Sequence, residues 1–367
     1  MQVRLAFLCG TTGWGGLEMN HIRNALWLSQ KGYQVKVYCV ENSPIHKAVV
    51  ENKLQFEIIP KHKNHYDFTK AVSLRKKIKK DQITHLFIRA TFDMSIAASV
   101  KFLSWNNLKV CFLMEMQMTN KKKQFFRTIR YKFIDYWICP LNYLKNQVEN
   151  NTNFPSSKIH VIQSGIDFKQ FNLNITQEEA RVKLNLPQNK VIFGLIGRFD
   201  KYKGHFLLLE ALQLTKHNNF DVIFMGSPTA NVKSDYYERV LDEIEHQNLQ
   251  NRVHVISYQA ETSTFYSAID WTLMTSEAET FGMVTIESFA HGKPVLGSNQ
   301  AGTFELIQEN KNGILFESMN ALDLAQKIDF IVEQKNKFNP KEIQEFAKQF
   351  DSNLFVSKLE HLLHLKG

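Results

Sequence analysis

Short apolar runs alternate along this chain with longer segments whose apolar residues recur at helical spacing. Val3–Cys9 is the first run, and a glycine-rich turn, Gly10 to Gly16, follows it. Leu17–Gln30 has helical periodicity, Gly32 sits where a C-cap belongs, and Val35–Val40 is apolar again. The alternation continues through strands at Phe56–Ile59, Thr84–Arg89, Val110–Met114 and Tyr136–Cys139. The helices between them are predicted at Tyr66–Lys80, Met94–Leu103 and Asn142–Asn150. It restarts at Lys190–Ile196, with further strands at Asp221–Met225, Val253–Ser257 and Gly313–Phe316. Helices are predicted at His205–Leu214, Ser234–His246, Met283–His291, Ala321–Gln334 and Pro340–Leu365. Strands alternating with helices imply parallel sheets covered on both faces. At 367 residues the chain has the length of two domains of about 170 to 190 residues each.

The stretch Thr275–Ile307 carries the densest candidate chemistry. Glu279 and Glu287 are separated by seven residues, and Phe281 and Gly282 lead into the helix that begins at Met283. The unpaired N–H groups of such a helix start suit a phosphate. One carboxylate lies just before the helix and the other about one turn inside it, so the two can bind hydroxyls on either side of a diphosphate. A nucleotide-sugar has that layout. Arg198 and Lys203 follow the C-terminal end of a strand, where open parallel sheets bind ligands, and two cations there neutralise a diphosphate.

These segments resemble glycosyltransferase family 4: the glutamate stretch Glu279 to Val295, the Gly197-Arg198 to Lys203-Gly204 loop, the Gly226-Ser227 strand end and the Gly15-Gly16-Leu17-Glu18 turn. The resemblance covers essentially the whole chain, strongest from Val161 onward and weak between Lys61 and Asn150. It implies an α/β protein of the GT-B fold, two Rossmann-like doubly wound domains facing each other across a cleft. It further implies retaining sugar transfer from a nucleotide-diphosphate-sugar to a glycan or lipid-linked acceptor, in surface polysaccharide or lipopolysaccharide synthesis. By the same analogy Arg198, Lys203 and Glu279 serve catalysis. Gly15, Gly16, Gly197, Gly226, Phe281, Gly282, Met283, Val284 and Glu287 bind the nucleotide-sugar, with Glu287 on the ribose and Glu279 on the sugar. Many family members carry a histidine just after the strand matching Val110–Met114. Here the residues are Leu113-Met-Glu115-Met-Gln117, so Glu115 is the expected replacement, with Gln117, or Arg89 or Asp93 from the neighbouring strand end, as alternatives. The expected domains are 1–172 and 173–345, joined through the polar stretch Asn172 to Glu179, with 346–367 crossing back to the first. Thr275, Gln163 and Ser164 depart from the family's usual residues.

Charge adds one further element. Residues 1–170 hold 26 Lys and Arg against 11 Asp and Glu, a balance of +15, while the remainder stands at −6. Basic and aromatic residues interleave from Lys121 to Phe133, as in a helix lying on an anionic membrane or one with a core face and a solvated basic face. No nucleic-acid module is recognisable, no Asp-x-Asp metal motif occurs, and no apolar run approaches the ~18 residues of a spanning helix. The four cysteines lie in apolar segments without metal-ligand spacing. A cytoplasmic protein needing no cofactor or metal is expected, with peripheral contact at the inner face of the membrane. The rival activities are an epimerase or hydrolase of the same fold, a non-catalytic sugar-nucleotide binder, and a dinucleotide-dependent oxidoreductase using Glu41.

Overall fold

The computed structural model describes residues 2–65, 67–104, 108–124, 128–171, 175–228, 234–259, 261–277, 279–334 and 338–365. The chain divides into two compact units, Met1–Gly165 with Ser352–Gly367, and Ile166–Asp351. The divisions fall a few residues from those expected at 172/173 and 345/346. The physical reason is local pairing: the Ile166 N–H donates to the Phe350 carbonyl at 2.8 Å, and Ile166 bridges Asp351 in parallel.

The first unit runs β1 (Arg4–Cys9), α1 (Gly16–Gln30), β2 (Gln34–Val40), α2 (Pro44–Glu51), β3 (Gln55–Ile59), α3 (Phe68–Lys80), β4 (His85–Ile88), α4 (Thr91–Ser104), β5 (Lys109–Leu113), β6 (Tyr136–Cys139), α5 (Asn142–Asn151) and β7 (Ile159–Val161). All strand pairs are parallel, in the order β3-β2-β1-β4-β5-β6-β7. The order reverses between β1 and β4, with Leu5 opposite His85. Ligands of open parallel sheets bind at such a switch point, beyond the strands' C-terminal ends. Burial on both faces explains the near-continuous apolar strands. Leu86, Ile88, Phe112 and Trp137 pack on one side, and Leu5, Phe7, Phe87 and Cys111 on the other. The C-terminal helix Ser352–Leu363 belongs to this unit, where Phe355 meets Trp27 edge-on at 5.9 Å.

In the second unit β8 (Val191–Ile196), β9 (Phe220–Gly226), β10 (Val253–Ser257), β11 (Trp271–Met274), β12 (Val295–Ser298) and β13 (Gly313–Phe316) form a parallel sheet, order β10-β9-β8-β11-β12-β13. Its switch point lies between β8 and β11. The cores on its two faces centre on Phe193, Phe224 and Trp271, and on Ile192, Ile223 and Phe265. Each unit is therefore Rossmann-like.

Three expectations need correction. Pro340–Leu365 is not one helix: Pro340–Ala347 ends in a 3-10 turn at Lys348–Phe350, and Ser352 starts another. The basic segment is not one helix either. Lys122 donates its N–H to the Asn151 carbonyl and Met118 to Gln147 Oε1, tying 118–122 to α5 as irregular chain. Ile129–Phe133 is a short 3-10 turn, while Phe125, Phe126 and Arg127 lie outside the described residues, as does Tyr66. The polar stretch after Phe171 also contains a helix, Gln177–Lys183, opened by a capping box between Thr176 and Glu179.

Candidate functional site

The loop after β8 is built from the strand outward. Gly197 donates its N–H to the Met225 carbonyl and Phe199 to the Ser227 carbonyl, so the loop leaves the sheet tied to the end of β9. That closeness requires Gly226, since a Cβ there would lie 1.9 Å from the Gly197 carbonyl oxygen. Gly197 itself is under no such constraint, because its absent Cβ would meet only the Lys203 stem at 3.6 to 3.8 Å. Phe199 is buried and stacks on His205 at 4.6 Å, anchoring the loop beneath Arg198. Arg198 is exposed and makes no hydrogen bond or ion pair with a described residue. At the loop's end Gly204 has φ +76°, and the Lys203 carbonyl accepts the Thr275 hydroxyl at 2.9 Å, joining this loop to the end of β11.

Lys203 Nζ donates to Glu279 Oε2 at 2.8 Å. The pair brings together two residues 76 positions apart, and both side chains remain partly exposed. Glu279 is fixed through its backbone as well, because its carbonyl accepts the Gly302 N–H at 2.9 Å. Gly282 then turns the chain at φ +87° into the helix Met283–Ala290. The first-turn amides of that helix, Met283 and Val284 among them, have no acceptor within it. Phe281 is buried against Phe350, and the buried Thr285 hydroxyl has no partner. On the same helix Glu287 is half-buried and accepts the Tyr266 hydroxyl at 3.2 Å. Tyr266 is fully buried and stacks on His291 at 4.6 Å; burial raises its pKa well above 10, so it remains a donor.

The structure thus brings Lys203 and Glu279 into contact and sets Gly282, Met283, Val284 and Glu287 along one helix beside them. Tyr266 and Gly302 complete this arrangement without having been singled out from the sequence, and Thr275, noted there only as a departure from the family's usual residue, ties the loop to β11. Their contacts join positions 21 to 72 residues apart, which no local pattern reveals.

In the first unit, Gly15 and Gly16 open α1 with their Cβ positions unobstructed, and Glu18 accepts the Thr11 hydroxyl at 3.1 Å. Glu115 is enclosed. It is ion-paired with the buried Arg89, accepts Asn20 Nδ2 at 2.9 Å on the same oxygen, and accepts the Ser164 hydroxyl at 2.8 Å on the other. Glu41 is exposed beyond β2. Asp93 is buried at the first turn of α4 and pairs with His62, a residue that no sequence pattern singles out.

Family models match both units of the chain. "Glycosyltransferase Family 4" matches residues 14–170, and "Glycosyl transferases group 1" matches residues 176–350. The chain belongs to glycosyltransferase family 4. Among its relatives are the lipopolysaccharide 1,2-N-acetylglucosaminetransferase of Salmonella typhimurium and D-inositol 3-phosphate glycosyltransferase 1 of Catenulispora acidiphila. The first is 26% identical over 54% of this chain and 54% of its own length. The second is 25% identical over 48% and 44%. The chain spans about half the length of these curated relatives. Solved structures align over nearly all of it. A Rickettsia africae glycosyltransferase reaches a TM-score of 0.86 at 24% identity, covering 98% of this chain and 97% of that one. Anabaena HepE in complex with UDP and glucose reaches 0.83 at 18%, covering 99% and 100%. These likenesses establish the fold of the family 4 chain, which is GT-B.

Proposed function

We propose that this protein is a retaining, metal-independent glycosyltransferase that moves a sugar from a nucleotide-diphosphate-sugar to a glycan or lipid-linked glycan. The observation that carries the reading is the Lys203–Glu279 contact beside the start of helix Met283–Ala290. It holds a cation and a carboxylate next to a helix start with unpaired amides. Lys203 and Arg198 take the diphosphate and stabilise the charge that develops on it as the glycosidic bond breaks. The amides of Phe281 to Val284 add donors, Glu287 holds the ribose hydroxyls, and Glu279 holds the sugar. Glu115 faces the acceptor side, and its contact with Arg89 makes it an ordering group there. Retention fits the family, with a donor phosphate oxygen receiving the acceptor's proton. HepE's structures with UDP and UDP-glucose support a uridine donor as the first trial.

The acceptor assignment rests on charge and on the relatives' names, which include a lipopolysaccharide glycosyltransferase and an O-antigen biosynthesis glycosyltransferase. The basic first unit suits a phosphorylated or lipid-linked acceptor and peripheral contact with an anionic membrane. Phe102 and Phe133 meet edge-on at 5.7 Å near Arg130, and Phe102 is 54% exposed. No helix among the described residues is long and apolar enough to cross a membrane.

The test is a thermal-shift and calorimetric panel of nucleoside diphosphates and their sugars, with and without EDTA, on the native chain and Lys203→Ala. One nucleotide should stabilise the native chain selectively, with or without EDTA, and lose its effect in the variant. Stabilisation by NAD alone, or by no diphosphate, overturns the reading. Free sugar or an epimer as the sole product replaces transfer with hydrolysis or epimerisation.

A further inference from the structure

The glycine-rich turn after β1 rests on a buried acid–base pair. Asp93, 1% exposed, accepts the Gly10 N–H on Oδ1 at 2.9 Å. The same oxygen lies 2.9 Å from Nε2 of His62, which is 3% exposed and stacks on Phe92 at 4.5 Å. The Gly10 backbone packs directly on these groups: a Cβ there would be 2.2 Å from His62 Nε2 and 2.6 Å from Asp93 Oδ1. Beyond Gly10 the turn has little to hold it. No neighbour lies within 4 Å of a Cβ at Gly16, and the nearest to one at Gly13 is Glu18 at 4.0 Å. Its other recorded side-chain ties are Cys9 to Thr11 at 3.3 Å and Thr11 to Glu18 at 3.1 Å.

The proton count of the pair follows from hydrogen-bond chemistry. His62 Nδ1 lies 3.0 Å from the Lys63 carbonyl, which only accepts, so Nδ1 carries hydrogen. A second hydrogen must lie between Nε2 and Oδ1, or two lone pairs would face each other in a dry interior. The pair is therefore imidazolium with carboxylate, or imidazole with carboxylic acid, and holds one proton more than a neutral histidine beside an ionised aspartate. Its surroundings favour keeping that proton. Glu18 from α1 and Asp67 at the N-cap of α3 are anionic, and the Cys9 thiol of β1 is neutral, burial pushing it up to about 12. Burial raises the Asp93 pKa. Burial acts to lower the His62 pKa, but its bonds to Asp93 and the Lys63 carbonyl and the Asp93 and Asp67 charges outweigh it, so His62 is raised as well.

We propose that His62 and Asp93 are a proton-sharing positioning pair that sets the glycine-rich turn Gly10–Gly16 in place ahead of α1. Neither side chain reaches the surface, so the pair acts through the turn. The turn's part in sugar transfer rests on the function proposed above, whereas its anchoring does not. When the shared proton leaves, Nε2 and Oδ1 present lone pairs to each other and the support under Gly10 loosens.

The test is amide hydrogen exchange of the peptides covering residues 10–18, read by mass spectrometry. In Asp93→Asn, an amide oxygen that accepts from Gly10 needs an unpaired imidazolium beside it, so the pair breaks. In the double variant His62→Gln with Asp93→Asn, the Gln Nε2 amide donates to the Asn oxygen and the geometry returns without a titratable proton. Exchange should rise about tenfold or more in Asp93→Asn, as for the loss of a buried hydrogen bond, and return towards the native rate in the double variant. After correction for intrinsic rates, raising the pH from about 6 to about 9 should loosen the native turn but not the double variant, which has no titratable group at either position. Native-like exchange in a folded Asp93→Asn, no rescue in the double variant, or a pH response that persists in the double variant overturns the proposal. If no nucleoside diphosphate binds the protein, the transferase reading fails, but exchange still decides this proposal.

Discussion

Removing the Lys203 ammonium tests the donor reading most directly, because the structure separates its effect on binding from its effect on folding. In the free protein Lys203 Nζ donates to Glu279 Oε2 at 2.8 Å, with both side chains partly exposed. A partly solvated pair of this kind contributes about 0–1 kcal/mol to stability, so Lys203→Ala should shift the melting temperature little. Binding is another matter. A phosphate oxygen about 4 Å from the ammonium interacts by about 4 kcal/mol at an effective dielectric of about 20. The variant loses that attraction and leaves the Glu279 carboxylate uncompensated beside an arriving anion. After desolvation, a net loss of about 2–3 kcal/mol is expected, roughly 30- to 150-fold in Kd. Isothermal titration with the nucleoside diphosphate that binds the native chain measures it, with the bare nucleoside as control. Glu279→Gln removes both the tether and the repulsion, so the double variant should lose less than the two single losses combined. Less than a threefold loss, or an equal loss for the nucleoside, refutes the assignment of Lys203 to the diphosphate.

Other parts of the structure make separate predictions. Gly226→Ala should cost about 1–3 kcal/mol of stability in chemical denaturation, since its Cβ would lie 1.9 Å from the Gly197 oxygen, whereas Gly197→Ala should fold normally. Tyr266→Phe removes a donor from Glu287 and should weaken a ribonucleoside diphosphate by about 1 kcal/mol, with less effect on its 2′-deoxy counterpart, as calorimetry can show. Arg181→Met should cost about 3–5 kcal/mol in denaturant titration, because the buried guanidinium pairs with Asp270 and donates to the carbonyls of Ala268, Gln188 and Lys190. Burial lowers the pKa of His21 to about 3 and those of His205 and His291 to about 4. Below about 6.5 the unfolded chain takes up protons these side chains refuse when folded, so stability should fall between about pH 6.5 and 4, by about 1.4 kcal/mol per pH unit for each histidine. Melting temperatures that stay flat from pH 7 to 5 would contradict this.

The sequence carried the fold well wherever one local signal decided an element. Tyr136–Cys139, His205–Leu214, Val253–Ser257, Gly313–Phe316 and Ala321–Gln334 lie where the apolar pattern put them. Errors came where a longer-range contact overruled the local pattern. Between Pro340 and Leu365 helical periodicity persists, yet the chain breaks where Ile166 pairs with Asp351. From Met118 to Lys122 the composition suits a helix, but backbone and side-chain bonds to α5 hold the segment irregular. The Thr176–Glu179 capping box was a legible helix start within a stretch read as linker.

The same distinction explains why the two units differ in legibility. Nucleotide-binding chemistry uses groups tied to backbone geometry: glycines at positive φ, a helix start, and charges at strand ends. Gly204, Gly282 and the 203–279 contact express those demands, so their residues recur in a recognisable order. The first unit instead solves its polar problems by burial. Arg89, Asn20 and Ser164 converge on Glu115, and His62 and the Gly10 N–H converge on Asp93. Such networks draw single residues from separate elements, here 26 to 95 positions apart, and leave no motif. Glu115 stood out in the sequence because it occupied a familiar position, and His62 did not because its partner is known only from the fold. Under the proposed transfer function, an acceptor-binding group is therefore better sought among first-unit residues the network leaves exposed, starting from the turn Gly10–Gly16.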